Sequence, residues 1–259
     1  MSQKLFNISL VIGLLAVSLI GGGSVKAAEL EEIQERGELI VGVKDNLRPL
    51  GFRDGNGNLQ GLEIDIAKRL AEEILGNPDA IVWQPVTNRD RINAVLDGKV
   101  DITIARVTLT ESRARLVNFS IPYYLDGTGL IVKDKSITQL RDLATKTIAV
   151  LNSSSTIAIV RYALPKAKLV GVDSYQEARS QLENGSVNAF AADTTLLAGW
   201  IQEYPDYQML RAQLSAEALC VVMPKGLQYN QLRRKINSAI ARWQTEGWLT
   251  QRAAAWGLP

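Results

Sequence analysis

The sequence predicts an α/β fold built from alternating strands and helices. Short apolar runs rich in valine and isoleucine recur along the chain, which is typical of strands. Stretches with apolar residues at helical spacing lie between these runs. This alternation is typical of helices packed on mostly parallel sheets.

The predicted elements follow one another in chain order. The apolar runs predict strands at 39–43, 81–86, 101–105, 129–133, 147–151, 187–192 and 219–223. The stretch 61–75 predicts an amphipathic helix, since four apolar residues form a stripe along one face. The members of this stripe are Leu62, Ile66, Leu70 and Ile74. The other stretches that predict helices are 90–98, 174–185 and 231–256. Turn residues at 123–129 indicate either a change of domain or an ordinary loop.

The N-terminus predicts a secretory signal peptide over residues 1–27. Lys4 supplies a positive charge, and residues 8–20 form an apolar run too short to span a bilayer. Cleavage is expected after Ala27 or Ala28. The only cysteine is Cys220, far downstream, so lipid attachment near the N-terminus is not expected. These features predict a soluble periplasmic protein.

The composition narrows the classes of function. The chain has 29 Lys and Arg against 27 Asp and Glu, and loss of Lys4 and Lys26 with the signal peptide leaves a neutral mature chain. Neutrality gives no support for a nucleic-acid or anionic-membrane partner. A single cysteine excludes an intrachain disulfide, and the lack of histidine removes serine–histidine hydrolase chemistry and common zinc sites. We expect no metal and no cofactor.

Polar residues follow the predicted strand 101–105, where ligands gather in open α/β sheets. Arg106 and Thr108 come directly after it, and Thr110 is a candidate cap that places Arg113 in the first turn of a helix. A cation there opposes the helix dipole by about 0.3–1 kcal/mol unless an anion lies against it. Arg113 and free backbone amides therefore form a candidate anion site. The alternative is an exposed arginine paired with a surface acid.

Two further strand ends carry polar residues. The segment 152–156 precedes a helix-like stretch, and its Ser155 and Thr156 offer hydroxyls and amides to an anion or simply cap the helix. Asp193 follows the strand 187–192 and either caps the next helix or binds a cationic group. Two anion sites and one carboxylate match the two charged ends of an amino acid.

The order and spacing of these residues resemble a known protein family. The most specific stretch is GKVDITIARVTLTESRARLVNFSIPYY at 98–124, supported by TIAVLNSSST at 147–156 and VNAFAADTTLL at 187–197. They resemble the periplasmic solute-binding proteins that bind polar amino acids for ABC importers, over about residues 29–258. The resemblance implies a two-lobed, type II Venus-flytrap fold with two hinge crossovers. It places lobe 1 at 29–124 plus 220–259, lobe 2 at 129–214, and the hinges near 124–128 and 215–219.

The same resemblance implies roles for individual residues. Arg113 would grip the ligand α-carboxylate with help from Thr108. Ser155 and Thr156 would offer amides to that carboxylate from lobe 2. Asp193 would hold the α-ammonium group.

Four residues bear on the ligand side chain. Lys44 and Arg91 resemble the cations that receive a side-chain carboxylate in the aspartate- and glutamate-binding branch, with solvation at the surface as the alternative. Arg106 stands where the family usually has a small or hydroxyl residue, so it either points outward or adds a cation. An unpaired inward cation would favour an acidic ligand. Asn88 replaces an aromatic wall and counts against a cationic ligand.

The sequence therefore predicts a monomeric protein that binds glutamate or aspartate between two lobes and delivers it to an ABC permease in the inner membrane, without covalent chemistry. A neutral or basic polar amino acid is the first alternative. A small-carboxylate dehydratase with Glu217 or Asp193 as general acid is another, as is a sensor domain acting through a membrane partner.

Overall fold

The computed structural model describes residues 28–152 and 154–259. The predicted signal peptide at 1–27 lies outside the described residues. Within the described ranges, no helix combines the length and apolar character needed to cross a bilayer.

The described residues form fifteen strands and nine α-helices. The strands are β1 Leu39–Val43, β2 Asn46–Leu47, β3 Gly51–Arg53, β4 Leu59–Gln60, β5 Ile81–Pro85, β6 Ile102–Ile104, β7 Asn118–Phe119, β8 Tyr124–Asp126, β9 Thr128–Val132, β10 Thr147–Leu151, β11 Lys168–Val172, β12 Ala189–Asp193, β13 Gln208–Met209, β14 Glu217–Leu219 and β15 Val222–Met223. The helices are α1 Leu30–Arg36, α2 Leu62–Leu75, α3 Asn93–Leu96, α4 Glu111–Ala114, α5 Thr156–Ala163, α6 Tyr175–Glu183, α7 Thr194–Glu203, α8 Asn230–Thr245 and α9 Trp248–Ala255. Short 3-10 helices span Leu140–Leu143 and Leu227–Tyr229.

Two five-stranded sheets organise the molecule. The first has the order β5-β1-β6-β15-β7, and the second has the order β11-β10-β12-β9-β13. In each sheet three neighbouring strands are parallel, and the remaining pairings are antiparallel. The expected parallel sheets are thus mixed sheets.

Two short strands connect the sheets. β8 pairs antiparallel with β14, so that Tyr124 lies opposite Leu219 and Asp126 lies opposite Glu217. β8 leads from the first sheet to the second, and β14 leads back. These strands fall in the ranges expected for the two hinges, while the lobe boundaries stay a prediction.

The central strands of each sheet are buried on both faces, which explains why their sequences are continuously apolar. In β9, Leu130 and Val132 pack in one core cluster while Ile131 packs in another. In the first sheet, Val41 on β1 packs with α2, α8 and α9, around the fully buried Trp243. Burying each such side chain contributes about 1.5–3 kcal/mol to stability, which favours the packing of helices on both faces of a sheet.

Most predicted elements are present, with differences that have local causes. The run 219–223 divides between β14 and β15 because the chain passes there from the connecting pair into the first sheet. The stretch 231–256 divides into α8 and α9 at Gly247, whose φ of 73° lies in the left-handed region. The stretch 90–98 forms only the four-residue α3, and β12 starts two residues later than expected. The small sheet β2-β3-β4 and the edge strand β11 were not predicted.

Candidate functional site

The loop after β6 carries the first group of site residues. Thr110 caps α4 and accepts a hydrogen bond from the Arg113 backbone N–H at 3.4 Å, which confirms the predicted cap. The Arg113 guanidinium donates to the Thr108 carbonyl at 2.8 Å. α4 is a single turn of four residues, so its dipole is small. Arg113 is therefore positioned by side-chain contacts to its own loop.

Arg91 lies beneath this loop. Its guanidinium donates to the Ala105 carbonyl at 2.8 Å and to the carbonyl of Arg106, and its Nε is buried without an acceptor in the described ranges. Burial, with the charges of Arg113 and Arg106, lowers the pKa of Arg91 to about 10. Only 8% of the residue is exposed, so the surface-solvation alternative for Arg91 is wrong.

Lys44 follows β1 and is buried to the same extent. Its Nζ donates to the Val86 carbonyl at 3.2 Å. Burial, followed by repulsion from Arg91, lowers the pKa of Lys44. Surface solvation is therefore excluded for Lys44 as well, and the first sheet presents a buried cationic group.

Glu63 on α2 is a site residue that the sequence analysis missed. Its Oε1 accepts from the Arg106 backbone N–H at 2.6 Å and from the Tyr123 hydroxyl at 2.5 Å. The residue is fully buried, and this burial raises the pKa of its carboxyl. An acid flanked by Leu62 and Ile64 at the buried start of a helix was the available signal. Glu63 holds the loop that carries Arg106.

Arg106 points inward, where it is ion-paired. Its Nη2 contacts Asp193 at the end of β12, and its Nε lies 3.3 Å from Asp126 on β8. Its φ of 51° is in the left-handed region, the one such value outside glycine in the described ranges. Two carboxylates neutralise this guanidinium, so Arg106 is not an unpaired cation and gives no support for an acidic ligand.

Asp126 is a second residue that the sequence analysis missed. Its carboxylate accepts from the Gly127 backbone N–H, from the hydroxyls of Thr194 and Thr195 at 2.7 Å each, and from the Thr195 N–H at 3.1 Å. The residue is buried, so these bonds replace lost hydration. The Asp-Gly pair within the predicted hinge was its only sequence signal. Asp126 ties the connecting strand to the start of α7.

Asp193 stands at the N-cap position of α7 without capping it. No side-chain cap hydrogen bond is present there, and the carboxylate turns instead to Arg106. The alternative of a plain capping residue is therefore wrong. Burial raises the pKa of the Asp193 carboxyl, and the charge of Arg106 opposes this shift.

Ser155 and Thr156 begin α5 at the same edge of the second sheet. β10 and β12 are parallel neighbours, so Asp193 and the start of α5 follow adjacent carboxyl ends. Ser155 occupies the N-cap position and makes no side-chain cap bond, while the Thr156 N–H donates to the Ser154 hydroxyl at 3.2 Å. Ser155 is exposed and Thr156 is buried.

Glu217 on β14 is half-buried and lies opposite Asp126 in the pairing of the two connecting strands. Burial, followed by repulsion from Asp193 and Asp126, raises the pKa of its carboxyl, and the charges of Arg106 and then Arg113 oppose the shift. The predicted residue Asn88 is exposed.

The site gathers eight charged side chains in one electrostatically linked group. These members are Lys44, Arg91, Arg106, Arg113, Glu63, Asp126, Asp193 and Glu217. The four cations all follow strands of the first sheet, and three of the acids lie on the connecting strands and the second sheet, whereas Glu63 lies on α2. A group with both signs of charge can hold a ligand that carries both signs of charge.

Several known proteins are similar to this chain in sequence or in structure. A 36% identical relative is the "Glutamine-binding protein" of Geobacillus stearothermophilus, with 73% of each chain matched. The "ABC transporter glutamine-binding protein GlnH" of Bacillus subtilis is 30% identical, with 95% of this chain and 94% of the relative matched. The solved "Ancestral Cationic Amino Acid Solute Binding Protein (AncCDT-1)" superposes with a TM-score of 0.74 at 28% identity, covering 88% of this chain and 99% of the other.

The architecture is the two-lobed Venus-flytrap fold of these neighbours, with α/β sheets joined by two crossovers. Residues 39–259 match the family model described as bacterial extracellular solute-binding proteins, family 3. The chain belongs to that family.

Proposed function

We propose that this protein binds a polar L-amino acid between its two sheets and presents it to an ABC transporter permease. One observation carries the proposal: Asp193, at the end of a strand of the second sheet, pairs with Arg106, which lies in the same first-sheet loop as Arg113. A guanidinium and an acid on opposite sides of one gap suit the two charged ends of a free amino acid.

The ligand contacts follow from these positions. The α-carboxylate lies against Arg113 and Thr108, and the amides at Ser155 and Thr156 approach it from the second sheet. The α-ammonium group lies against Asp193. Each charge-assisted hydrogen bond contributes about 1.5–3 kcal/mol, so a few of them, less ordering costs, support about micromolar affinity.

The charge balance of the site favours a ligand without net charge. Four cations face four carboxylates, so an uncharged amide side chain such as that of glutamine leaves the balance intact. Asp45 also acts on Lys44, but it is ion-paired with Arg53 at 3.4 Å. The glutamine-binding relatives support the same preference.

A glutamate or aspartate ligand is the second candidate, because Arg91 and Lys44 are buried cations. Truncating Arg91 to alanine tests this point. A much larger loss for glutamate than for glutamine would favour the acidic ligand, and equal losses would remove Arg91 from a side-chain role.

The cellular setting belongs to the same proposal. A signal peptide at 1–27 would deliver the protein to the periplasm, where a monomer closes over the amino acid. The closed form is then the one that the permease in the inner membrane recognises. The extracellular solute-binding family of this chain and the ABC-transporter role of the Bacillus subtilis relative support this setting.

Isothermal titration calorimetry of the purified protein tests binding. Glutamine, glutamate, aspartate, arginine and alanine are titrated, and at least one polar amino acid is expected to give saturable heat. Arg113→Ala is expected to weaken that binding at least about 100-fold, as loss of a charged contact implies. The exposed Arg115, two residues later, provides the matched control, since Arg115→Ala leaves the affinity within about twofold.

Two outcomes would contradict this proposal. The first is an absence of binding by every amino acid in the panel. The second is a ligand that is converted during the incubation, as judged by its NMR spectrum, which would favour a dehydratase with Glu217 as the acid.

A further inference from the structure

Arg106 occupies the place that the proposed function gives to the ligand ammonium. Its guanidinium contacts the Asp193 carboxylate. The Arg106 side chain is 19% exposed and that of Asp193 is 28% exposed, so the pair is largely withdrawn from water. The chain therefore carries an internal cation at the acid that would receive an external one.

The backbone around Arg106 holds this guanidinium in place. Its N–H donates to the buried Glu63 at 2.6 Å, and its carbonyl accepts from Arg91. Its left-handed φ of 51° turns the chain at this residue. The second acid, Asp126, anchors the Nε at 3.3 Å. Arg106 thus approaches Asp193 from a fixed base and not from a mobile surface loop.

Asp126 cannot fully replace Asp193 as the partner of the Arg106 guanidinium. Asp126 already accepts four hydrogen bonds from Gly127, Thr194 and Thr195. A ligand ammonium that takes Asp193 leaves Arg106 with a single, already engaged partner. The binding free energy that the ligand ammonium gains from Asp193 is therefore reduced by the cost of breaking the Arg106–Asp193 ion pair.

We propose that Arg106 is a specificity-determining residue that competes with the ligand ammonium group for Asp193. The inference rests on the proposed function and deepens it. Its consequence is an altered substrate class: the site accepts carboxylates that lack an α-ammonium group nearly as well as the corresponding amino acids. Arg113 remains the anchor for the carboxylate of both kinds of ligand.

A comparison of paired ligands tests the competition by calorimetry. One pair is glutamine and glutaric acid monoamide, which is glutamine without its α-ammonium group. The second pair is glutamate and glutarate. In the wild-type protein, removal of the ammonium is expected to weaken binding by about tenfold or less, because Arg106 already satisfies Asp193.

Arg106→Gly frees Asp193 while suiting the left-handed backbone. In this variant, removal of the ammonium is expected to weaken binding by about 100-fold or more, because the ligand is then the counter-ion of Asp193. Arg106→Lys keeps a cation and should resemble the wild type. Arg179→Ala, which removes an exposed i,i+4 pair with Glu183 on α6, is the matched control and should keep the wild-type ratio.

An equal ratio in the wild type and Arg106→Gly, within about twofold, would overturn the inference while amino-acid binding itself persists. If Arg106→Gly fails to fold, the NMR signal of the Arg106 Nε–H in the wild-type protein tests the competition instead. Glutamine is expected to shift that signal and glutaric acid monoamide to leave it in place, whereas identical responses would refute competition. Failure of all four ligands and of every other amino acid in the calorimetry panel to bind would instead reject the proposed function.

Discussion

Asp126 illustrates how much one buried carboxylate holds at the residue scale. It satisfies the hydroxyls of Thr194 and Thr195 and pairs with Arg106. Asp126→Ala would leave these groups without a buried partner and is expected to cost about 3 kcal/mol in the free energy of unfolding. Urea denaturation without ligand measures the loss. Asp126→Asn should lose less stability, and Asp206→Ala at an exposed position is the control. Similar losses of stability in all three variants would contradict this structural role of Asp126.

The single cysteine gives a second prediction at this scale. Cys220 is fully buried, and burial raises the pKa of its thiol to about 11. Since the thiolate is the reactive form, alkylation by iodoacetamide at pH 8 should be at least about 100-fold slower in the native protein than in urea. Mass spectrometry counts the added groups. Rapid native labelling would show that this part of the molecule opens readily.

The charged residues show what could be predicted at this scale. Arg113 and Asp193 stood out because each follows an apolar strand-like run, and strand ends meet at one edge of a sheet. Glu63 and Asp126 did not stand out, because the residue type alone does not show whether a carboxylate is solvated or buried. The pairing of Arg106 was equally hidden, since its partners lie 20 and 87 positions further along the chain.

At the scale of elements, Gly247 separates two helices that the sequence pattern joined. Its φ of 73° favours glycine, and a Cβ there would meet open space. Gly247→Ala should therefore cost about 1 kcal/mol in the free energy of unfolding through backbone strain alone. Gly55 also faces open space but lacks a left-handed φ, so Gly55→Ala is the matched control in urea denaturation. Equal stability of the two variants would contradict this account.

The elements that were predicted well are those with long apolar patterns. α2 was expected at 61–75 and spans Leu62–Leu75, because its stripe packs on the first sheet. The two-residue strands β2 and β4 escaped prediction, since so few residues carry no periodicity. Division of the run 219–223 depended on which sheet each half joins, which is a tertiary property.

On the scale of the whole molecule, the two halves touch at Gly199. A Cβ built on this residue of α7 would lie 2.4 Å from the Arg48 carbonyl in the loop after β2. Gly199→Ala should oppose this close approach and weaken amino-acid binding about tenfold, with little change in the stability of the separated halves. Calorimetry and small-angle scattering measure affinity and shape. Unchanged affinity and shape would exclude a role of this contact in closure.

By itself, the sequence determined the α/β alternation, the resemblance to a family of solute-binding proteins and the main charged residues at the strand ends. These features are local, since apolar spacing and strand-end position depend on neighbouring residues. Only the tertiary structure decided that Lys44 and Arg91 are buried and that Arg106 pairs with Asp126 and Asp193. Burial and ion pairing depend on residues distant in sequence, which come together only when both sheets and their connecting strands have folded.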